Sequence, residues 1–246
     1  MTQYRLLALD MDGTLLNDEK EVSDENKKWV RKLDEQDIPV VLTTGRGYQR
    51  VIHIQSELNI NRPMILVNGA EIWKDKGSLL NRTFIPQEEL RKVRDIAMEY
   101  EASYWGYKTW GIVKGKDLGR DEPVRDWLKI GVKHNELAVI HEIRDKVMGS
   151  VNIECTSSNP HNIECAPRGH TKETGLERVC DHLGISMREV VSVGDHMNDW
   201  SMIKAAGLGV AMGNATPELK NIADAVTRTN EENGVANVIR TYFFDK

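Results

Sequence analysis

Leu6-Leu7-Ala8-Leu9-Asp10-Met11-Asp12-Gly13-Thr14 sets four apolar residues directly against two acids and a glycine. A short unbroken apolar run that stops at turn-forming residues predicts a buried strand leading into a loop. Working outward, Ser23 is placed to cap a helix over Asp24 to Gln36, which carries Trp29, Val30 and Leu33 on one face. Ile38 to Thr43 reads as a second strand that stops at Thr44-Gly45-Arg46. A helical pattern with Val51, Ile52, Gln55 and Leu58 follows, then a strand at Met64 to Val67. Strands alternating with helices predict a parallel sheet.

The alternation returns after residue 170. It comprises helix Thr171 to Leu183 closed by Gly184, strand Glu189 to Val193, helix Asn198 to Ala206, strand Leu208 to Met212, a helix opening at Thr216-Pro217-Glu218 and strand Ala225 to Thr227. A C-terminal helix carries Val235, Val238 and Ile239. Between the two blocks lie a hairpin from Glu71 to Phe84, a helix after Pro86, a strand over Ser103 to Val113, short helices at Val124 to Leu128 and Leu137 to Val147, and strands Val151 to Thr156 and Asn162 to Ala166. The last two are joined by Ser157 to His161. The predicted class is α/β, a doubly wound Rossmann-like parallel-sheet core of residues 1–82 and 168–246 with an α+β cap inserted over 83–167.

The 246 residues carry a net charge of −5 with no long basic run, which argues against nucleic acid as the main partner. Leu6 to Leu9 is too short for a signal or membrane segment, so no membrane partner is expected and a cytoplasmic location is the default. Three cysteines, Cys155, Cys165 and Cys180, without a CxxC read as reduced packing residues.

The polar clusters Asp10 with Asp12, Thr44 with Gly45, Lys172, and Asp195 with Asn198 and Asp199 all fall where strands end or helices begin. In an open α/β sheet such places converge on one crevice. Asp10 and Asp12, one residue apart on an extended backbone, are expected to point the same way. With Asp195 they form an oxygen-rich set suited to a hard cation such as Mg²⁺. An EF-hand is excluded because Gly13 is at the wrong loop position, and zinc is poorly served because no His or Cys joins the set. Lys172 and Thr44 supply a cation and a hydroxyl for an anion, and phosphate is the natural guest.

These four ordered motifs, Asp10-Met11-Asp12-Gly13-Thr14, Thr44-Gly45-Arg46, Lys172 and Gly194-Asp195-His196-Met197-Asn198-Asp199, resemble those of the haloacid dehalogenase-like phosphatases. The cap position is similar to that of the Cof-type branch. The resemblance implies that Asp10 attacks phosphorus to form an aspartyl-phosphate, while Asp12 protonates the leaving alcohol and then activates water. It also implies that Mg²⁺ touches the Asp10 carboxylate, the Asp12 backbone carbonyl and Asp195, with Asp199 in support. Thr44, the Gly45 amide, Lys172, Asn198 and backbone near Met11 would hold the phosphoryl oxygens. The expected substrate is a small phosphomonoester, with sugar phosphates favoured. A phosphomutase on the same scaffold and a noncatalytic phosphate sensor are the alternatives. Glu173 departs from the small residue usual after the motif lysine, and His170 and His196 also stand beside motif positions. In the cap, Tyr100, Tyr104, Trp105, Tyr107 and Trp110 are expected to divide between core and crevice, and Asn68, Asn152, Glu154 and His161 are candidate substrate contacts.

Overall fold

The computed structural model describes residues 4–115, 125–157 and 159–245. Strand β1 (Leu6–Leu9) lies at the middle of an eight-stranded sheet, paired in parallel with β11 (Val190–Gly194) on one side and β2 (Val40–Thr43) on the other. The parallel set continues through β12 (Leu208–Ala211) to β13 (Ala225–Val226) at one edge and to β3 (Met64–Leu66) towards the other. An antiparallel hairpin, β4 (Glu71–Trp73) and β5 (Leu79–Arg82), completes that side, so the core sheet is mixed at one end.

The apolar run of β1 has a direct cause. Leu7 and Leu9 enter one core with Val30 and Leu33 of α1 (Asp24–Glu35), Leu58 of α2 (Ile52–Leu58) and Val238 of α8 (Gly234–Ile239). Leu6 and Ala8 enter the opposite core with Leu176 and Val179 of α5 (Lys172–Leu183) and Met202 of α6 (Trp200–Ala205). A strand covered on both faces reads as continuous rather than alternating hydrophobicity. Ser23 accepts from the Asn26 amide and starts α1 as expected, a cap worth about 1 kcal/mol. A further helix of this domain, α7 (Pro217–Ile222), begins after Thr216 with proline in its first turn.

The cap is a five-stranded antiparallel sheet in the order β7-β6-β8-β10-β9. Its strands are β6 (Ser103–Lys108), β7 (Gly111–Lys114), β8 (Trp127–Lys133), β9 (Ile153–Thr156) and β10 (Asn162–Pro167). Helices α3 (Gln87–Glu99) and α4 (Leu137–Ser150) cover one face with Leu90, Val93, Ile140 and Val147.

Two cap expectations are corrected. Ser103 to Val113 is a hairpin rather than one strand, turning at Thr109 and Trp110. The helix expected over Val124 to Leu128 begins at a residue outside those described, and its other end, Trp127 and Leu128, belongs to β8. The physical reason is a bulge: Tyr107 pairs with Lys129 and Lys108 with Trp127, leaving Leu128 as an extra residue that breaks the period of two. Ser158, in the expected turn between β9 and β10, also lies outside the described residues. All three cysteines are free thiols; Cys155 and Cys165 face each other across β9 and β10 with sulfurs 3.0 Å apart. Among the described residues no helix is long and apolar enough to cross a membrane.

Candidate active site

Asp10 follows β1, Asp195 follows the adjacent β11, and Thr44 follows β2, so three neighbouring parallel strands deliver polar residues from their carboxyl ends to one side of the sheet. Lys172 arrives from the opposite wall as the first residue of α5. That helix start is fixed by a reciprocal cap in which the Thr171 hydroxyl accepts from the Thr174 amide and the Thr174 hydroxyl accepts from the Thr171 amide. The Lys172 side chain is completely buried, and its ammonium donates to Asp10 and, at 2.5 Å, to Oδ1 of Asp199. The other Asp199 oxygen accepts from the backbone amides of Asp195 at 3.0 Å and His196 at 3.2 Å. Asp199 therefore ties the lysine to the loop after β11.

Carboxylate oxygens of Asp10, Asp195 and Asp199 lie within 4.8 Å of one another. Burial pushes the Asp10 carboxyl well above its ordinary range; Lys172 opposes that shift, while Asp199 and Asp195 add to it. Burial and then Asp199 push Asp195 up to about 6. Burial works to lower the Lys172 ammonium, but Asp10 and Asp199 outweigh it and raise its proton affinity. Three crowded acids against one buried cation leave surplus negative charge, which a divalent hard cation would neutralise. With both Asp199 oxygens engaged, Asp10 and Asp195 are the carboxylates with oxygen to offer, so the donor set fits such an ion. Gly13 permits this closeness: its φ is +78°, and a β-carbon there would stand 2.4 Å from Oδ2 of Asp195.

The Asp12 carboxylate does not join this set. Arg46 holds it in a two-pronged contact, Nε to Oδ2 at 2.8 Å and Nη2 to Oδ1 at 2.7 Å, and Lys20 stands 3.3 Å from Oδ1. The expectation of Asp10, Asp12 and Asp195 as three clustered carboxylates is thus corrected: Asp199 takes the third place. The turn at Met11 to Gly13 replaces the extended backbone assumed from spacing, and the guanidinium draws the Asp12 side chain to the far wall. Burial raises the Asp12 pKa, but Arg46 and Lys20 overcome it and hold the carboxyl below its usual range.

Asp10, Asp12, Thr44, Gly45, Asp195 and Asn198 line one cavity of about 480 Å³ between core and cap. Met11, between the two acids, is completely buried and does not line this cavity. The Thr44 hydroxyl accepts from the Arg46 amide at 3.2 Å. The Lys172 ammonium is paired with Asp10 and Asp199 rather than with the neighbouring Glu173, whose pKa burial and then Glu177 raise. Of the flanking histidines, His196 borders this cavity and His170 borders a second one, together with Asn68, Glu154 and Lys172. Asn152 instead accepts from Arg168, and His161 borders a third cavity of the cap. Trp105 and Tyr107 face the crevice, Tyr100 and Tyr104 pack on the cap core, and Trp110 is exposed.

Sequence reasoning gave no role to Arg46, Lys129 or Glu164. Arg46 was visible beside Thr44 and Gly45, but its partner is 34 residues away. Lys129 and Glu164 had one signal, a charge inside each apolar run Leu128-Lys129-Ile130 and Ile163-Glu164-Cys165.

Comparison with known proteins agrees with this geometry. The sequence profile of the haloacid dehalogenase-like hydrolases matches residues 7–126 and 113–239. A 5-amino-6-(5-phospho-D-ribitylamino)uracil phosphatase, YcsE of Bacillus subtilis, is 36% identical over 236 residues, covering 96% of this chain and 94% of the relative. The phosphatase YwpJ of the same organism is 30% identical over 284 residues, covering 96% and 99%. A crystal structure of a haloacid dehalogenase-like hydrolase from Bacteroides thetaiotaomicron superposes with a TM-score of 0.86 at 28% identity, covering 97% of this chain and 99% of that one. The chain belongs to the haloacid dehalogenase-like hydrolases, in their Cof-type phosphatase branch.

Proposed function

We propose that this protein is a Mg²⁺-dependent phosphatase of small, neutral-bodied phosphomonoesters, sugar or polyol phosphates, working through an aspartyl-phosphate. The observation that carries the reading is Lys172 bridging Asp10 and Asp199 beside Asp195, with Asp12 gripped separately by Arg46 on the same cavity. One carboxylate is thereby held for nucleophilic work and another for proton transfer. The relatives support the substrate class, since YcsE is named for a substrate with its phosphate on a ribityl chain.

Asp10 attacks phosphorus as the bond to the leaving oxygen breaks, and Asp12 delivers a proton to that oxygen. Arg46 and Lys20 favour the ionised form of Asp12 before substrate enters; an incoming phosphate dianion raises its proton affinity, and Asp12 takes from solvent the proton that it then delivers. In the second half Asp12 takes a proton from water, the water oxygen bonds to phosphorus, and the bond to Asp10 breaks. Lys172, Thr44, the Gly45 amide, Asn198 and backbone at Met11 steady the phosphoryl oxygens throughout. Mg²⁺ would be held by Asp10, the Asp12 carbonyl and Asp195, with Asp199 in support through Lys172 and its loop. Bound there, it supplies positive charge that lets two anions approach. On this reading residues 1–82 and 168–246 are the catalytic core, and 83–167 are a cap that closes the crevice against water.

The test is release of inorganic phosphate from a panel of polyol phosphates, sugar phosphates and nucleotides, with Asp10→Asn as blank. Turnover without any bisphosphate activator is expected. Inertness towards the whole panel at saturating Mg²⁺ overturns the reading in favour of a phosphate sensor, and strict dependence on a bisphosphate overturns it in favour of a mutase.

A further inference from the structure

The cap contributes to the crevice a buried ion pair that stands apart from the cap's own apolar cluster. Lys129 is 3% exposed and Glu164 is 9% exposed, on the adjacent strands β8 and β10, with Nζ 2.7 Å from Oε2. The ammonium also donates to the Gly45 carbonyl at 2.9 Å and lies 5.2 Å from the centre of the Tyr107 ring. Both residues line the cavity that holds Asp10 and Asp12. A buried ion pair is commonly no more stabilising than apolar residues of the same size, and the apolar cluster of the cap occupies the other face of the sheet. The bulge at Leu128 immediately precedes Lys129, and bulges beside functional sites re-aim the side chains next to them.

Resting on the phosphatase reading above, we propose that Lys129 and Glu164 determine specificity by reading the alcohol half of the substrate. Lys129 donates to one hydroxyl of the carbon chain and Glu164 accepts from its neighbour, while Trp105 and Tyr107 cover the C–H surface. Vicinal hydroxyls suit the pair because each hydroxyl both donates and accepts. The pair is neutral as a unit, so a neutral polyol replaces its internal contact without leaving a charge unmatched. A leaving group without hydroxyls offers nothing in exchange, and a carboxylate or second phosphate that pairs with Lys129 leaves the buried Glu164 anion without its cation. Sites built to bond a substrate hydroxyl reject analogues that lack it far more strongly than apolar pockets reject a missing methylene.

The experiment compares kcat/KM for ribitol 5-phosphate with that for phenyl phosphate, whose leaving group has no further hydroxyl. It uses the full chain with Mg²⁺, as wild type, Lys129→Met, Glu164→Gln and the double variant Lys129→Met/Glu164→Leu. The wild type is expected to favour ribitol 5-phosphate, and the ratio is expected to fall about ten-fold or more in every variant. The double variant replaces the pair with apolar groups of similar volume, so it reports the ratio even where one unpaired buried charge prevents folding. A wild-type ratio at or below one overturns the proposal. So does a variant ratio unchanged within about two-fold, equal loss on both substrates included, which assigns the pair to seating the cap. Wild-type inertness towards every phosphoester overturns the phosphatase reading itself, a result separable from an active enzyme with an unchanged ratio.

Discussion

Lys172 is the residue on which the site's electrostatics turn, because among the described residues it is the cation paired with both Asp10 and Asp199, at zero exposure. Lys172→Met leaves two buried carboxylates without their cation. It is expected to lower unfolding free energy by about 3–5 kcal/mol, read from urea unfolding without divalent ions. Asp10→Asn has the opposite character: it keeps the shape and relieves part of the crowding among the acids. Phosphate release in that variant is expected to fall by about 10³-fold or more with an unchanged urea midpoint or a higher one. Full turnover in Asp10→Asn would remove Asp10 from the nucleophile's place. Arg46→Lys keeps a positive charge but loses the fork that fixes the Asp12 carboxylate. It should reduce kcat by about 10- to 100-fold with a smaller change in KM, and steady-state kinetics check this.

At the level of elements, the loop after β2 connects floor and roof. Gly45 offers its carbonyl to Lys129, Arg46 reaches Asp12, and a β-carbon at Gly47 would stand 2.8 Å from Cδ1 of Tyr107 on β6. The backbone at Gly47 is not left-handed, so what the glycine provides is room for the cap. Gly47→Val is therefore expected to raise KM and lower kcat/KM about five-fold or more, with stability changing by less than about 1 kcal/mol. Adding Tyr107→Ala should restore part of that loss, and a double-mutant cycle showing independent effects would refute the clash. The core elements were readable because β1, β2, β3 and β11 are buried on both faces and stop at polar residues. The cap was less so: the Leu128 bulge broke the alternation of β8, and the turn at Thr109 and Trp110 carried no proline or strong hairpin pair. Convergence of Asp10, Thr44, Lys172 and Asp195 was legible from topology. The direction of the Asp12 side chain was not, because Arg46 and Lys20 set it across the loop.

For the whole molecule, the acid cluster couples ion binding to stability. Holding Asp195 ionised near neutral pH works against burial and Asp199, which together push its pKa up to about 6, so the ion-free fold carries a local electrostatic cost. A divalent cation bound only by the folded state removes that cost and adds its binding free energy, about 2.7 kcal/mol at a hundred times its Kd. The thermal midpoint is accordingly expected to rise with Mg²⁺, and chelation should lower it and abolish turnover reversibly. Asp195→Asn tests the source of the effect, since it removes one acid from the crowd and one ligand from the ion. Without Mg²⁺ the variant should be as stable as the wild type or more stable by about 1 kcal/mol, and its midpoint should lose most of the Mg²⁺-dependent rise. A variant that keeps the full rise would place the ion away from Asp195; one that melts well below the ion-free wild type would mean that Asp195 stabilises the fold through its bond from the Thr14 hydroxyl rather than straining it.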